Sequence, residues 1–478
     1  RFLETVIAAD SKSLVVVDGQ QPRARKYALM GLSYIDNTVA AQALLRSASA
    51  GYYDYFVIRG LVDLGVKAKQ SLISALKSED TFVRSQAMLA LAFLSDPEIE
   101  QLAENMLKTE ADPIVRLHCQ FALYQAGRNE MFDELLKAAN SDKDQTALRS
   151  AYVLWYVQEA VPEPVLLKLF SHSESRIRRR AADIVAKRPI ASDAIIDALV
   201  GMLGDRNRLV RSSAKDALAA IDRKALPALT EAIRGTDRKA RESAAQALVK
   251  MGGEEAVRMM MHLLDDPSAA LRAYAAQSLG SLANELGPGE QADAAAERLH
   301  KMLDTESSTV VLRGCMLSLG ELNHADSAKK IVHLMQKYPT VGKEGAIALA
   351  EMSGVPKAER TIMSRFRRLD SEYIGFSPVH SDKDYQQLFF ISYPAAVLGN
   401  QKARKRLNNV LMQGDFKDRI VAAEFMSRLS EPESLDALMQ VAEYESKGLE
   451  PFDFYLRRAA QRAAIEILLQ QQRGESGN

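Results

Sequence analysis

An apolar residue followed by arginine returns along this chain at steps of roughly 30 residues, the period expected of stacked helical hairpins. Two copies show the pattern most clearly: LGDRNRLVRSSAKDAL (Leu203 to Leu218) and LDDPSAALRAYAAQSL (Leu264 to Leu279). In both, a small residue stands three positions after the arginine and a leucine stands seven after it. A helix puts positions i, i+3 and i+7 on one face, so the small residue and the leucine meet the same neighbour. The arginine opens a helix just past an acidic turn, and Asp205 and Asp266 stand where an N-cap or turn residue belongs. Each copy therefore reads as the second half of a helix–turn–helix unit.

The same pair recurs at Ala24–Arg25, Ile58–Arg59, Val83–Arg84, Val115–Arg116, Leu148–Arg149, Ile177–Arg178, Ala240–Arg241, Leu312–Arg313 and Leu456–Arg457. Two degenerate units carry Lys343 with Ala346, and Arg419 with Ala422, where Asp418 replaces the apolar residue. The expected fold is all-α, a right-handed α-α superhelix of about thirteen hairpins. The segments DTFVRSQAMLAL (Asp80 to Leu91), DPIVRLHCQFAL (Asp112 to Leu123) and DPSAALRAYAAQSL (Asp266 to Leu279) resemble the HEAT repeat. The likeness is to the bacterial HEAT-like subtype first named for phycobilin lyases. It implies a ladder of Asp and Arg between neighbouring repeats. That role falls here on Arg84, Arg116, Arg178, Arg211, Arg241 and Arg272, with Asp80, Asp112, Asp205 and Asp266.

A chain of 478 residues would ordinarily suggest about three domains, but a repeat array has no single core and overrides that expectation. We expect an N-terminal half-solenoid over 1–286 and a C-terminal one over 287–470, divided at the helix-breaking Leu286–Gly287–Pro288–Gly289, then a polar, unstructured tail over 471–478. Lys+Arg and Asp+Glu both number 62, which argues against a dedicated polyanion binder while leaving room for local patches. The two cysteines, Cys119 and Cys315, read as buried thiols filling small-residue positions. No apolar run approaches the roughly 20 residues of a membrane span. The chain opens on Arg1 and not Met, so we expect a fragment or a processed product, with a cytoplasmic location favoured and export left open.

Two surfaces stand out as candidates. Ser371 to Asp382 reads as an insertion between the two helices of one unit, with Gly375 and Pro378 blocking a helix. Tyr373, Phe376, Tyr385, Phe389, Phe390 and Tyr393 crowd around it, and with the lone Trp155 they are the candidate protein-binding residues. The second surface is basic. Between Arg176 and Leu248 there are sixteen basic against nine acidic residues. Arg176, then Arg206 with Arg208, then Arg238 with Lys239 fall at successive inter-helix turns, which stack along one edge of a solenoid as a positive ridge, with Arg179 among its residues.

No signature of catalysis appears. The seven histidines lack HExxH or other ligand spacing, and there is no GxSxG, P-loop or strand-borne GxGxxG. The expected function is thus a non-catalytic scaffold, without cofactor or metal, that binds a protein along its groove or through residues 371–394, within a larger assembly. Nucleic-acid binding along the ridge is the first alternative. A phycobilin lyase-like or chaperone-like role, suggested by the repeat subtype alone, is the second.

Overall fold

The computed structural model describes residues 44, 60–64, 66–94, 97–373, 383–430, 432–443 and 451–475. Phe376, residues 374–382 of the expected insertion, Arg25 and Arg59 lie outside the described residues. Among the described residues there are twenty-four α-helices, three single 3-10 turns and no strand. The chain divides into two compact units, Arg1–Ala247 and Leu248–Asn478.

In the first unit α1 (Val66–Ala75) packs on α2 (Thr81–Leu91), and α3 (Pro97–Thr109) on α4 (Pro113–Gln125). Next come α5 (Met131–Ala139) with α6 (Asp144–Leu154), α7 (Glu163–Phe170) with α8 (Ser175–Lys187), and α9 (Asp193–Met202) with α10 (Arg208–Ile221). After α11 (Leu226–Arg234), the division falls inside α12 (Arg238–Met251). The second unit pairs α13 (Gly253–Leu263) with α14 (Ala269–Leu286), α15 (Glu290–Thr305) with α16 (Thr309–Glu321), and α17 (Ala328–Lys337) with α18 (Gly342–Glu351). It continues with α19 (Pro356–Glu372) on α20 (Lys383–Val397), α21 (Gln401–Gln413) on α22 (Phe416–Leu429), and α23 (Pro432–Glu443) on α24 (Pro451–Glu475).

Each unit is a stack of such hairpins, and the second helices of successive hairpins also pack on one another. The sequence pattern explains why. Ala87, Ala181, Ala214 and Ala275, three positions after their arginines, are fully buried, as are Leu91, Leu218 and Leu279 at the seventh position. A hairpin cannot bury both faces alone, and the next repeat supplies the missing surface.

Two joints in the second unit are close because small residues there give way to glycine. A Cβ on Gly280 would sit 2.7 Å from the Ser318 Cα, and one on Gly320 would sit 2.7 Å from the Ala348 Cα. Glycine there lets α14, α16 and α18 approach backbone to backbone. Ser318, itself buried, uses this closeness: its hydroxyl donates to the Ala276 carbonyl at 2.6 Å and accepts from the Gly280 N–H at 3.0 Å. Those two groups are four residues apart, the spacing of an ordinary helical hydrogen bond, so a side chain of α16 is woven into the backbone ladder of α14.

At the other end, α24 runs to Glu475, through most of the segment expected to be an unstructured tail. Gln, Arg and Glu are good helix formers, and polarity alone does not stop a helix that is already nucleated.

Candidate functional site

The arginines act as joints between repeats, and three of them share one geometry. Arg84 donates through Nε to Glu110 at 2.9 Å and through Nη2 at 3.1 Å, while its Nη1 reaches the Ser78 and Glu79 carbonyls at 2.8 and 3.0 Å. Arg178 grips Asp205 at 2.8 and 3.1 Å and the His172 and Ser173 carbonyls, both at 2.7 Å. Arg272 grips Glu306 at 2.8 and 3.3 Å and the Asp266 and Pro267 carbonyls at 2.9 and 3.2 Å. One guanidinium therefore closes its own inter-helix turn and forks onto the carboxylate of the next repeat, a task for which its rigid set of five donors is suited. Arg116 and Arg211 close their turns in the same way, Arg211 through the Asp205 carbonyl at 2.7 Å, and Arg241 donates to the Ile233 carbonyl at 2.7 Å.

The structure separates two acidic roles that the sequence pattern runs together. The carboxylate facing Arg84 is that of Glu110, not of Asp112. Asp112 caps α4 by accepting from the Ile114 and Val115 N–H groups, and Asp80 caps α2 through the Phe82 N–H. In a later copy Asp205 holds Arg178 while Asn207 caps α10. Asp266 accepts from the Ser268 N–H at 2.8 Å. The residue six before Arg116 or Arg211, and seven before Arg313, is thus placed to reach back to the preceding repeat, and a residue two positions later sits at the helix start.

The joints are part-buried, and their electrostatics follow from that. Hydrogen bonding to Arg84 holds the Glu110 carboxyl below the usual range against the opposing effect of burial. For Asp205 and Glu306, burial is the largest influence and works against the charge. The fork from Arg178 or Arg272, with turn N–H groups, overcomes it and leaves both carboxyls lowered.

The aromatic candidates are placed differently from the expectation. Tyr385, Phe389, Phe390 and Tyr393 lie on α20 and are buried between repeats. Tyr393 stacks on Phe425 with centroids 4.3 Å apart, Phe389 lies 5.8 Å from the same ring, and Tyr385 stacks on Phe389. Tyr385, Phe389 and Tyr393 fill the joint toward α22, Phe390 packs against Gly342 of α18, and none of the four presents a surface to a partner. Large rings at this joint do what alanine does elsewhere, at a wider spacing. Tyr373 is half-buried at the end of α19, 6.5 Å from Tyr385. The Asp418 that breaks the apolar pattern is buried on α22 and accepts from Gln386 of α20 at 2.9 Å, so two polar exceptions satisfy each other.

Trp155 ends α6, half-buried. Lys187 lies 4.0 Å from its ring centre and donates to its carbonyl at 2.8 Å. Arg188 donates to the Leu154 and Val157 carbonyls at 2.8 and 2.7 Å, so the end of one repeat's helix is closed by cations of the next. Arg188 had no place in the apolar–Arg pattern. Its signal was a lone Lys–Arg pair at the end of α8.

The inter-helix turns that carry the expected ridge lie side by side in the first unit. Asn207 donates to the Ser175 hydroxyl at 3.0 Å, and Gly204 lies beside the Asp237 carboxylate, so the turns before α8, α10 and α12 are neighbours. Arg176 pairs with Glu174 at 3.1 Å, Arg179 with Asp183 at 3.8 Å and Arg238 with Glu242 at 2.8 Å. Arg206, Arg208 and Lys239 are exposed and make no ion pair among the described residues.

One surface was missed by the sequence reading. A cleft of about 570 Å³ separates α22 from α24. Ala459 and Ala463 form part of its wall, Ile420 and the exposed Tyr455 lie at its edge, and Arg428, Arg458 and Arg462 alternate with Glu424 and Glu466 around it. Its residues look like ordinary helix surface in sequence because they come from two repeats. Among the described residues no His, Cys, Asp and Glu cluster is arranged to hold a metal, and no helix is long and apolar enough to cross a membrane. Cys119 and Cys315 are buried thiols, both pushed up to about 12, first by burial.

A family model described as HEAT repeats matches residues 40–124, 163–249 and 196–280. The chain carries HEAT repeats. The matched HEAT segments include the arginine joints from Arg84 to Arg272, except Arg149, and the glycine-rich and aromatic repeats beyond 280 lie outside them. No curated protein sequence matches the chain. Solved structures with a similar HEAT fold include Kap121p bound to Ste12p, at TM-score 0.53 and 14% identity, and Kap121p bound to Nup53p, at 0.53 and 13%. Importin beta in an ammonium sulfate condition aligns at TM-score 0.50 and 12% identity. The alignments cover 94% of this chain against 56% of Kap121p, and 98% against 73% of importin beta. The chain therefore spans little more than half the length of Kap121p. At these identities the likeness concerns the α-solenoid fold.

Proposed function

We propose that this HEAT-repeat chain is a non-catalytic scaffold or adaptor that holds a protein partner against the second helices of its repeats. The observation that carries this reading is the α22–α24 cleft. It joins small-residue walls, an exposed tyrosine and a rim of charges of both signs, the anatomy of a surface that receives a peptide or helix. Kap121p, with a similar fold, is a protein seen bound to Ste12p and to Nup53p, which supports a partner-binding use of such a surface. The burial of the four α20 aromatics moves the proposed contact from the 371–394 region to this cleft.

The test compares capture of partners by the whole chain, by a Tyr455→Ala/Arg458→Glu variant and by a chain lacking residues 374–382. Loss with the cleft variant and retention with the deletion supports the reading. A partner held equally by the cleft variant removes it. The ridge supports a second reading, nucleic-acid binding, because Arg206, Arg208 and Lys239 keep their charge unpaired. An Arg206→Glu/Arg208→Glu variant should then lose a salt-dependent gel shift that the native chain shows at low salt.

A further inference from the structure

A second groove, on a different set of helices, has a different chemistry. It lies between α17 and α19, the first helices of consecutive hairpins, and encloses about 570 Å³. Lys329 and Val332 line it from α17, and Lys357, Arg360, Arg365 and Arg368 line it from α19, with Thr361 and Ser364 between the cations. No carboxylate lines it. The arrangement follows from helix periodicity. On α19, Ala358, Ile362, Phe366 and Leu369 recur at helical spacing and are buried, so the opposite stripe gathers the cations into one row.

A solvated basic face would pair its cations with neighbouring acids, and this groove does so only in part. Lys357 pairs with Asp326, and Arg368 lies 3.6 Å from Glu372; both acids stand outside the lining. Lys329 and Arg360 are exposed without an ion pair among the described residues. Arg365 is the informative member. Its guanidinium is half-buried and donates to the Gln387 side-chain oxygen, and the Gln336 amide faces the same guanidinium with its oxygen as acceptor. An arginine withdrawn from water is thus held in place by neutral amides. Burial, and then the neighbouring Arg368 charge, makes it less willing to keep its proton than an ordinary arginine. The Glu372 and Asp384 carboxylates act the other way without reversing this, and an anion in the groove would add to them.

We infer that the α17–α19 groove binds a short anionic segment of a partner protein, with a phosphorylated side chain seated against Arg360, Arg365 and Arg368. The size supports a peptide. The row from Lys357 to Arg368 spans about 17 Å of helix, the reach of about five extended residues. A phosphate group carries nearly two negative charges and three acceptor oxygens, which suits the guanidinium forks and the nearby hydroxyls of Thr361 and Ser364. This inference does not depend on the α22–α24 cleft, which shares no residue with it.

The experiment measures fluorescence anisotropy of a labelled six-residue acidic peptide with a central phosphoserine, titrated with the whole chain. The expected result is saturable binding that weakens at least tenfold for the unphosphorylated peptide and at least tenfold for Lys329→Glu/Arg360→Glu. Both of these residues are exposed, so the variant should keep the native melting temperature, and binding should also weaken as salt rises. Tyr455→Ala/Arg458→Glu should leave the signal unchanged, which separates failure here from failure of the cleft. Three results would overturn the inference: equal binding by Lys329→Glu/Arg360→Glu, equal binding of phosphorylated and unphosphorylated peptides, or tighter binding of a single-stranded oligonucleotide of equal charge.

Discussion

Arginine is required at the joints because it does two jobs at once. A lysine at position 178 has three donors on one nitrogen and cannot hold the His172 and Ser173 carbonyls while forking onto Asp205. Replacing Arg178 by Met leaves a part-buried carboxylate and two turn carbonyls without their donor. We expect a loss of about 1–3 kcal/mol in urea unfolding, and a double-mutant cycle with Asp205→Asn should show strong coupling. A change within 0.3 kcal/mol would mean that the joint is ornamental. His118 gives a second prediction. It is buried on α4, and its Nδ1 must carry the proton because it meets the Ser85 carbonyl at 2.8 Å. Burial, with some help from the Arg149 charge, pulls its pKa down to about 3 from 6.5. The native side chain stays neutral in a range where the unfolded chain takes up a proton. Stability is therefore complete above about pH 6.5 and falls by about 1.4 kcal/mol per unit as the pH drops toward 3. His118→Gln should flatten urea midpoints between pH 6.5 and 5; an unchanged slope would place the titrating group elsewhere. The ladder carboxylates act lower, since their pKa values are depressed and their contribution is lost only as the pH falls below about 4. The arginines were legible in sequence. The choice between Glu110 and Asp112 was not, because a turn with two acids does not say which one looks backward.

Among whole helices, spacing is set by the size of the side chain at the contact. Where that side chain is alanine the second helices pack in the usual way, as at Ala214, and Ala214→Leu should overpack the joint by about 1–3 kcal/mol. Gly320 is tighter, so Gly320→Val should cost at least as much by the same measurement, because the obstruction is the backbone of α18. A thermal melt that does not move would contradict the approach of these helices. At α20 the joint is filled by rings. The sequence showed an aromatic cluster beside a helix-breaking stretch, and such a cluster can be either exposed bait or interior filling. The deciding fact was tertiary: Phe425, one hairpin on, supplies a stacking partner for Tyr393. The same dependence on a neighbour hid the two grooves. Each is made by a pair of helices whose lining residues are separated in sequence, and a stripe such as Lys357 to Arg368 looks like plain surface until Lys329 is seen across from it.

For the molecule as a whole, repetition made the fold readable and the function obscure. Every hairpin states the architecture again, so the loss of a few copies, as at Lys343 or Asp418, does not hide it. A partner is chosen by departures from the repeat, and one chain offers no way to separate chosen departures from tolerated ones. Repeats pack chiefly on their neighbours, with a few longer reaches such as Arg149 over the Phe82 ring and Lys343 to Glu424, so damage at one joint should stay largely local. Arg178→Met should raise proteolytic nicking near the turn before α8 and leave the second unit resistant. Cutting spread evenly over both units would show that the array melts as one. The Ser318 hydroxyl offers a way to watch such motion directly. An ordinary helical amide reports on its own helix, whereas the Gly280 amide is held by an atom belonging to another. Its deuterium uptake is therefore a gauge of how often two repeats part company, readable without any label attached to the protein.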